Sequence, residues 1–339
     1  MEQQKLPEFI SALQNTEAFD HPVKNVTLIQ THISYVLVAG EYVYKFKKPV
    51  DFGFLNFTSL DKRAHFCRQE LTLNRRLCPD IYLDLVTVTR ENDQFRLNGG
   101  GNIIEYGVKM KRMPEERMMG RMISNGQLKQ HHLDGIIETL VPFYSKADGR
   151  ETIRSFGKAE SVGINVLENF DQTASFAGGD ALDHGQFEVI SCYAKEVLKD
   201  TARFDQRVTD GRIRDCHGDL YSANICLDTR VHIFDCIEFN ERFRFSDVAA
   251  DVAFLAMDLD YHGLSEYSDY FLTTFKEASN DADLLDHTGF YKCYRAYVRG
   301  KIGLFTAADP AVDKQTAKIC TEQAKKYFTL AERYARDES

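Results

Sequence analysis

The sequence has no Cys-x-x-Cys pair, although eight cysteines are scattered through its 339 residues. Structural zinc sites usually carry that spacing, and disulfide-stabilised domains carry a denser set of cysteines in a shorter chain. We therefore expect neither a zinc site nor a disulfide framework. Cys216, Cys226 and Cys236 recur every ten residues, and we interpret them as small buried hydrophobic side chains.

Long apolar runs and an excess of basic residues are also missing. No run approaches the roughly 20 apolar residues that a membrane-spanning helix needs. The first residues lack the basic start and apolar core of a signal peptide. The formal net charge is −9, whereas a general nucleic-acid-binding surface needs basic charge. These absences predict a cytoplasmic protein with no membrane or nucleic-acid partner, and they leave the oligomeric state open.

The most informative stretch is Cys216–Asn240, in which three polar residues stand beside apolar, β-prone runs. Asp219 could accept the proton of a hydroxyl group, and Asn224 and Asp235 supply the hard oxygen ligands that Mg²⁺ prefers. The spacing His217-x-Asp219-x4-Asn224 is that of the catalytic loop of protein kinases. The alternative is a hairpin whose surface carboxylates cap turns.

The same residues resemble the aminoglycoside phosphotransferase family, whose members are kinase-fold enzymes that phosphorylate small molecules from ATP. The motif is His-Gly-Asp-Leu-x3-Asn from His217 to Asn224, followed by a second Asp at 235. Ser246–Phe254 is similar to that family's Ala-Asp-x4-Asp-Leu-Ala helix start, and Ser246 is predicted to cap this helix. Phe234–Asn240 resembles an uncharacterised bacterial subgroup of the family.

The resemblance implies an α+β fold of the two-lobed, protein-kinase-like kind. A small antiparallel-sheet lobe for nucleotide binding is expected at residues 1–114, and a mainly helical lobe for catalysis and acceptor binding at residues 115–339. The implied cofactors are ATP, or another nucleoside triphosphate, and Mg²⁺.

The resemblance also implies a role for each residue of the loop. Asp219 would be the catalytic base, and His217 would pack beneath it as a structural member of the catalytic loop. Asn224 and Asp235 would hold the metal ion. Asp247, in the first turn of the following helix, would hydrogen-bond the loop and fix its shape.

A lysine on the third predicted strand would contact the α- and β-phosphates. Tyr42–Lys47 alternates, so Lys45 and Lys47 share one face; Lys45 is the predicted phosphate ligand and Lys47 the alternative. Glu70 lies on the apolar face of the next predicted helix, where a carboxylate needs a cationic partner. The resemblance implies that Glu70 pairs with Lys45. An edge-strand lysine and a Glu70 salt bridge to a nearby arginine are the alternatives.

The glycine-rich phosphate loop of kinases, Gly-x-Gly-x-x-Gly, is absent. The first hairpin has its predicted tip at Thr31–Ser34, so phosphate contacts are expected from backbone amides and from the Thr31 and Ser34 hydroxyls. Met110 and Met113 are expected beside the adenine edge, where methionine suits a flat apolar slot. Both methionines fit an ordinary core equally well.

The acceptor is predicted to be a hydroxyl of a small molecule: an aminoglycoside, a sugar or another metabolite. Only eleven residues, 236–246, separate Asp235 from Asp247, which leaves little room for the activation segment of a protein kinase. An atypical protein kinase and a non-catalytic nucleotide-binding regulator are the alternatives. Arg295 and Arg299, one helical turn apart, either receive an anionic acceptor or form a salt-bridged solvent face, and the solvent face is favoured.

Overall fold

The computed structural model describes residues 6–92 and 94–337. The chain forms two compact units: Met1–Met118 with His232–Glu241, and Met119–Val231 with Arg242–Ser339. The sequence predicts a nucleotide-binding lobe that ends at residue 114 and a catalytic lobe that follows it. This division stays a prediction. It assigns the segment His232–Glu241 to the second region, whereas this segment packs with the first unit.

The first unit is built on a six-stranded antiparallel sheet with the strand order β1-β2-β3-β6-β4-β5. Its strands are rich in the β-branched and aromatic residues that fit a pleated, half-buried surface. The strands are β1 (Val26–Gln30), β2 (Ser34–Ala39), β3 (Tyr42–Lys47), β4 (Tyr82–Glu91), β5 (Gln94–Leu97) and β6 (Asn102–Lys111). The sequence predicts strands at Val26–Thr31, Tyr35–Ala39 and Tyr42–Phe46, and the first three strands agree with these bounds to within one residue at each end.

One face of this sheet forms an apolar core with the first helix, α1 (Glu8–Leu13). Ile10 and Leu13 from α1 pack in one buried cluster with Tyr44 and Phe46 from β3. Because side chains alternate along a strand, the residues between these aromatic rings are directed away from this core.

The alternation directs Lys45 and Lys47 to the opposite face, where helix α2 (Leu60–Asn74) lies against the sheet. The helix is capped by Ser59, whose side chain accepts a hydrogen bond from the Lys62 amide at 3.2 Å. Both predicted lysines therefore face a helix within their own unit.

The second unit is mainly helical. Its two longest helices, α12 and α13, pack against each other, and α12 also packs against α10. The α-helices are α3 (Met119–Ser124), α4 (Gln130–Lys146), α5 (Glu151–Arg154), α6 (Ala159–Thr173), α7 (His184–Lys199), α8 (Thr201–Thr209), α9 (Glu241–Arg244), α10 (Val248–Tyr261), α11 (Ser265–Ser279), α12 (Leu284–Ala308) and α13 (Lys314–Asp337).

Short strands and 3₁₀ turns complete the chain. Strands β7 (Ile213–Asp215) and β10 (Phe245–Asp247) pair antiparallel. Strand β9 and helix α9 each contain a point at which the chain changes unit. The remaining short elements are β8 (Ile225–Leu227), β9 (Val231–Ile233) and the 3₁₀ turns Thr16–Ala18, Glu115–Arg117, Ser155–Gly157, Ala174–Phe176 and Ser222–Asn224.

Helix α10 is the central helix of the second unit. Every residue from Val248 to Asp260 is buried, as expected for a helix that is apolar on nearly all sides. The prediction that Ser246 caps it is wrong. Asp247 is the capping residue, because its carboxylate accepts a hydrogen bond from the Ala249 amide at 2.8 Å.

The predicted fold class is confirmed: the protein has an α+β, kinase-like fold with one antiparallel-sheet unit and one mainly helical unit. Among the described residues, no helix combines the length and the apolar character that crossing a membrane requires.

The sheet offers a test of its packing at Gly107 on β6, which pairs with Phe46 on β3. A Cβ atom at Gly107 would lie 2.5 Å from the Phe46 ring and 3.0 Å from the Lys45 carbonyl oxygen. We expect Gly107→Ala to lower the free energy of unfolding by about 1–3 kcal/mol through overpacking, as measured by urea denaturation. Gly100→Ala is the matched control because nothing lies within 4 Å of its added Cβ. Equal stabilities of the two variants would contradict this account.

Candidate active site

The first unit brings three of the predicted residues together around Lys45. The Lys45 Nζ atom lies 2.9 Å from Glu70 Oε1 and 2.5 Å from Asp235 Oδ1. Glu70 is buried on α2, whereas the Asp235 side chain is 44% exposed. The predicted ion pair between Lys45 and Glu70 is thus present, and Lys45 also reaches the residue predicted to hold a metal ion. The phosphate-binding role of Lys45 stays a prediction.

Lys47 forms a second, deeper ion pair with the same carboxylate. Its Nζ lies 2.7 Å from Glu70 Oε2, contacts Glu238 Oε1, and stands 4.9 Å from the centre of the Phe57 ring. Lys47 and Glu238 are both almost fully buried. Sequence reasoning named Lys47 only as an alternative to Lys45 and missed Glu238. Each oxygen of Glu70 therefore serves one of the two lysines.

Charge pairing decides the protonation of this cluster. Burial disfavours the ionised form of Glu70, but the two lysines outweigh it and lower the pKa of Glu70 to about 2. Burial likewise lowers the pKa of Lys45 and of Lys47, yet the surrounding carboxylates raise both pKa values above the ordinary range. For Glu238, burial prevails over Lys47, and its pKa is raised. The cluster thus keeps both lysines and Glu70 charged at neutral pH.

Asp235 follows strand β9 with a left-handed backbone, at φ 62°. Its amide donates to the Tyr82 hydroxyl at 3.2 Å, and the next amide, of Cys236, donates to Asn74 Oδ1 at 2.9 Å. A non-glycine residue in this region costs about 1–3 kcal/mol, and such strain is common at functional sites. Two hydrogen bonds to neighbouring elements hold the strained turn that directs this carboxylate to Lys45.

The second unit brings Asp219 and Asn224 together. The Asn224 side-chain NH₂ group donates to Asp219 Oδ2 at 2.9 Å and to the Asp219 carbonyl oxygen at 3.0 Å. These bonds use the nitrogen of the amide and leave its oxygen as the potential ligand atom. His217 is fully buried, and its Nδ1 atom lies 3.3 Å from the Asp219 amide that donates to it. His217 is therefore a buried part of the loop, and its structural role in catalysis stays a prediction.

Asp251, which is buried on α10, fixes the backbone of the loop that carries Asp219. Its two carboxylate oxygens accept hydrogen bonds from the His217 amide at 2.8 Å and the Gly218 amide at 2.9 Å. The Tyr144 hydroxyl donates to the same carboxylate at 2.9 Å. Gly218 has a φ of 87°, a conformation that favours glycine. The glycine of the motif thus allows two successive amides to point at one carboxylate.

The expectation that Asp247 would hydrogen-bond the loop is wrong. Asp247 instead pairs with Arg207, whose Nε and Nη2 atoms donate to its two oxygens at 2.8 and 2.7 Å. Arg207 also pairs with Asp281, so its charge is matched within the buried core. Both Asp247 and Asp251 lie at the start of α10, and their spacing alone could not tell which one faces the loop.

The interpretation of Arg295 and Arg299 as a salt-bridged solvent face is wrong for Arg295. This residue is 6% exposed. It donates from Nη1 to the Gly218 carbonyl oxygen at 3.1 Å and from Nε to the Ala250 carbonyl oxygen at 3.2 Å. Arg295 therefore connects α12 to the loop through a backbone carbonyl group. Asp251, in contrast, binds backbone amides of the loop.

The predicted phosphate-binding hydroxyls lie at the first hairpin. The Thr31 hydroxyl accepts from the Ile33 amide at 3.3 Å and the Ser34 amide at 3.0 Å, so it closes the turn itself. The Ser34 hydroxyl is buried and has no hydrogen-bond partner among the described residues. Met110 is half-buried on β6, and Met113 is half-buried just after it. The nucleotide contacts of all four residues stay predictions.

The available oxygen donors suit Mg²⁺ better than a metal ion that takes all of its ligands from the protein. Among residues 6–92 and 94–337, no group of three or more His, Cys, Asp or Glu side chains is arranged to hold a metal ion. Mg²⁺ needs only one or two protein ligands, because it keeps waters and phosphate oxygens. The Asn224 amide oxygen and the partly exposed Asp235 carboxylate are hard oxygen donors of this kind.

Comparisons with known proteins give relatives without an assigned activity. No protein-family model matches the chain. Uncharacterized proteins of Mycobacterium tuberculosis (strain ATCC 25618 / H37Rv) and Mycobacterium bovis are each 32% identical over 293 residues, which is 83% of this chain and 56% of theirs. The chain therefore spans little more than half the length of the curated relatives that it matches.

Solved structures of small-molecule kinases are similar in fold. A glucosamine kinase has a TM-score of 0.49 at 14% identity, covering 97% of this chain and 79% of its own. A putative aminoglycoside phosphotransferase of Ralstonia eutropha JMP134 has a TM-score of 0.46 at 10% identity, covering 97% of both chains. Amicoumacin kinase, in complex with AMP-PNP, Ca²⁺ and its ligand, has a TM-score of 0.48 at 12% identity, covering 90% and 88%. These likenesses assign no activity or substrate to this protein.

The Glu70 cluster predicts how stability depends on pH. Glu70→Gln leaves two buried lysines short of one anion, and we expect a loss of about 3–5 kcal/mol in the free energy of unfolding at pH 7. Because the pKa of Glu70 is lowered from 4.5 to about 2, its contribution is complete above pH 4.5 and is lost as pH falls towards 2. The stability difference between wild type and variant should shrink over that interval in urea titrations. Glu41→Gln, an exposed substitution on the sheet unit, is the control; a gap that stays constant down to pH 2 would contradict the assignment.

The Asp251 contacts predict the stability of the loop. In Asp251→Asn, one oxygen becomes an NH₂ group that faces a backbone donor. We expect the His217 or Gly218 amide to lose about 1–3 kcal/mol of protection, which is about 5- to 150-fold faster hydrogen exchange where reclosing is fast compared with exchange. Exchange measured by mass spectrometry or NMR checks this, with exposed Asp269→Asn on α11 as the control. Unchanged protection at both amides would mean that Asp251 does not hold the loop.

Proposed function

We propose that this protein is an ATP- and Mg²⁺-dependent phosphotransferase that acts on a hydroxyl group of a small molecule. The observation that carries the proposal is Lys45: a strand lysine bonded both to the helix carboxylate Glu70 and to Asp235. In kinase chemistry such a lysine, fixed by a helix glutamate, neutralises phosphate charge. We further propose a cytoplasmic location, as the sequence predicts.

Each residue has a role in the proposed reaction. Asp219 accepts the proton of the acceptor hydroxyl and orients its oxygen, and the Asn224 side chain fixes the Asp219 carboxylate. Asn224 and Asp235 would hold the metal ion, which neutralises charge on the β- and γ-phosphate oxygens when bound. The positive charge of Lys45 neutralises negative charge on the α- and β-phosphates. Loose phosphoryl-transfer transition states need positioning and charge neutralisation more than covalent chemistry, and these side chains supply both.

The loop geometry supports catalysis by Asp219 rather than a purely structural turn. Asp251 binds two successive amides of the loop, Arg295 binds a carbonyl group, and Asn224 binds the carboxylate of Asp219 itself. A hairpin with surface carboxylates would not need buried charges to fix it. A preorganised carboxylate is what proton abstraction requires, because a misplaced base loses much of the rate.

A nucleotide-binding experiment tests the proposal. At one hundred times its dissociation constant, Mg-ATP should stabilise the protein by about 2.7 kcal/mol, as measured by thermal unfolding, and slow ATP hydrolysis should follow. Asp235→Asn should remove turnover to below about one hundredth of the wild-type rate, since a lost metal ligand forfeits about 3 kcal/mol of charge stabilisation.

Asp228→Asn is the matched control, because Asp228 is exposed and lies seven residues before Asp235. It should keep the wild-type rate. Binding of Mg-ATP without hydrolysis in a broad screen of small hydroxyl compounds would favour a nucleotide-binding regulator instead. An unchanged rate in Asp235→Asn would overturn the metal assignment.

A further inference from the structure

Arg299 lies in a stack of aromatic rings beside the loop that carries Asp219. Its guanidinium carbon is 4.7 Å from the centre of the Tyr221 ring and 5.7 Å from that of Tyr327. Tyr221 stacks in turn on Phe254, at 5.4 Å and 11°. A guanidinium held against ring faces keeps its N–H groups in its own plane, where they are available to an anion.

No carboxylate of the described residues forms a close ion pair with Arg299, although the nearby Asp219 charge and a side-chain hydrogen bond with Tyr327 both stabilise its guanidinium. Its Nε atom is buried and bonds no other atom of the described residues. Burial lowers the pKa of this guanidinium, whereas Tyr221, Tyr327 and Asp219 raise it, so the side chain stays charged. The Arg299 side chain is half-buried, and a partly desolvated charge without a close ion pair is costly. Its retention at this point calls for an anion that compensates it.

The position of Arg299 relates this charge to the proposed base. Arg295, one turn earlier on α12, donates to the Gly218 carbonyl oxygen at 3.1 Å. Arg299 lies over Tyr221. The two arginines therefore contact the residues immediately before and two positions after Asp219. An anion on Arg299 would lie next to the carboxylate that receives the hydroxyl proton.

A purely structural role explains the arrangement less well. Arg295 already ties α12 to the loop by two hydrogen bonds to carbonyl groups. If Arg299 served only as a spacer between Tyr221 and Tyr327, an apolar side chain would fill the place without the cost of partly desolvating a charge. A planar guanidinium is instead suited to bidentate binding of a carboxylate or a phosphate.

We propose that Arg299 is the anion-binding residue of the acceptor site, so that the acceptor carries a carboxylate or phosphate group close to the hydroxyl that is phosphorylated. This inference rests on the proposed function. In the reaction, the acceptor oxygen bonds to the γ-phosphorus of ATP, and the bond from that phosphorus to the β–γ bridging oxygen breaks. ADP leaves, and the hydroxyl proton passes to Asp219.

Inorganic sulfate is the first probe, because it is a small dianion that needs no turnover. We expect calorimetric titration to show sulfate binding to the wild-type protein with Mg-ADP present at saturation. Arg299→Gln should raise the sulfate dissociation constant at least tenfold, and Arg299→Lys should raise it less, since lysine keeps the charge without the planar fork. Sulfate binding that is absent from the wild type, or equal in Arg299→Gln, would overturn the proposal.

Two further variants separate this site from other cations. Arg336→Gln, at an exposed position of α13, should leave sulfate binding unchanged. Lys45→Met should also retain the Arg299-dependent binding, whereas its loss there would assign the sulfate to the nucleotide site. Circular dichroism and urea denaturation of each variant establish that the helical unit is folded; if Arg299→Gln unfolds, Arg299→Lys carries the comparison.

The second measurement identifies the chemical class of the acceptor. The protein is incubated with Mg-ATP and a pool of hydroxyl compounds that contains carboxylates, phosphate esters, neutral sugars and amines, and products are detected by the mass gain of one phosphate. A carboxylate-bearing or phosphate-bearing product that depends on Arg299 supports the proposal and tells these two sources apart. A neutral or cationic product overturns it. If no product forms but sulfate binding depends on Arg299, the phosphotransferase proposal fails while the anion site stands.

Discussion

The sheet unit depends on one buried carboxylate that serves two lysines. Glu70 has an oxygen for Lys45 and another for Lys47, and it is almost excluded from solvent. Burial alone would favour a protonated Glu70, yet the paired cations keep it ionised. The arrangement orders β3 against α2, because both lysines come from one strand face and the carboxylate from one helix position. It also sets where the charge of Lys45 is directed, towards Asp235.

In the helical unit, buried charged side chains likewise hold a segment of backbone in place. Buried Asp251 binds two amides of the loop, and buried Arg295 binds a carbonyl group of the same loop. Each ionised group is satisfied by several hydrogen bonds, which offsets the cost of removing it from water. Fixed dipoles and charges therefore hold the loop, so Asp219 would need little reorganisation in the proposed reaction. In both units, buried charged groups hold partly exposed polar side chains in position.

Sequence reasoning succeeded where a local rule connects residues and failed where only the folded chain does. Strand alternation and the helical stripe assign Lys45 and Glu70 each to a face, and the family resemblance implied that the two residues pair. The partner of Lys47 was missed, since Glu238 is 191 residues away and no spacing rule relates them. Asp251 could not be chosen over a neighbouring acid, because both suit a helix N-terminus. Arg295 looked like a surface residue, since its acceptors are backbone carbonyl groups that a sequence does not display.

The return of His232–Glu241 to the sheet unit has a consequence for how the protein is made. Lys47 emerges from the ribosome long before Glu238, which follows 191 residues later. At the usual rate of synthesis, that delay is about 10–40 s. During it, a nascent sheet holds two lysines and a single glutamate, without the acid that balances the inner lysine. The amino-terminal fragment alone would therefore be an incomplete folding unit, and its maturation is coupled to translation of the helical region.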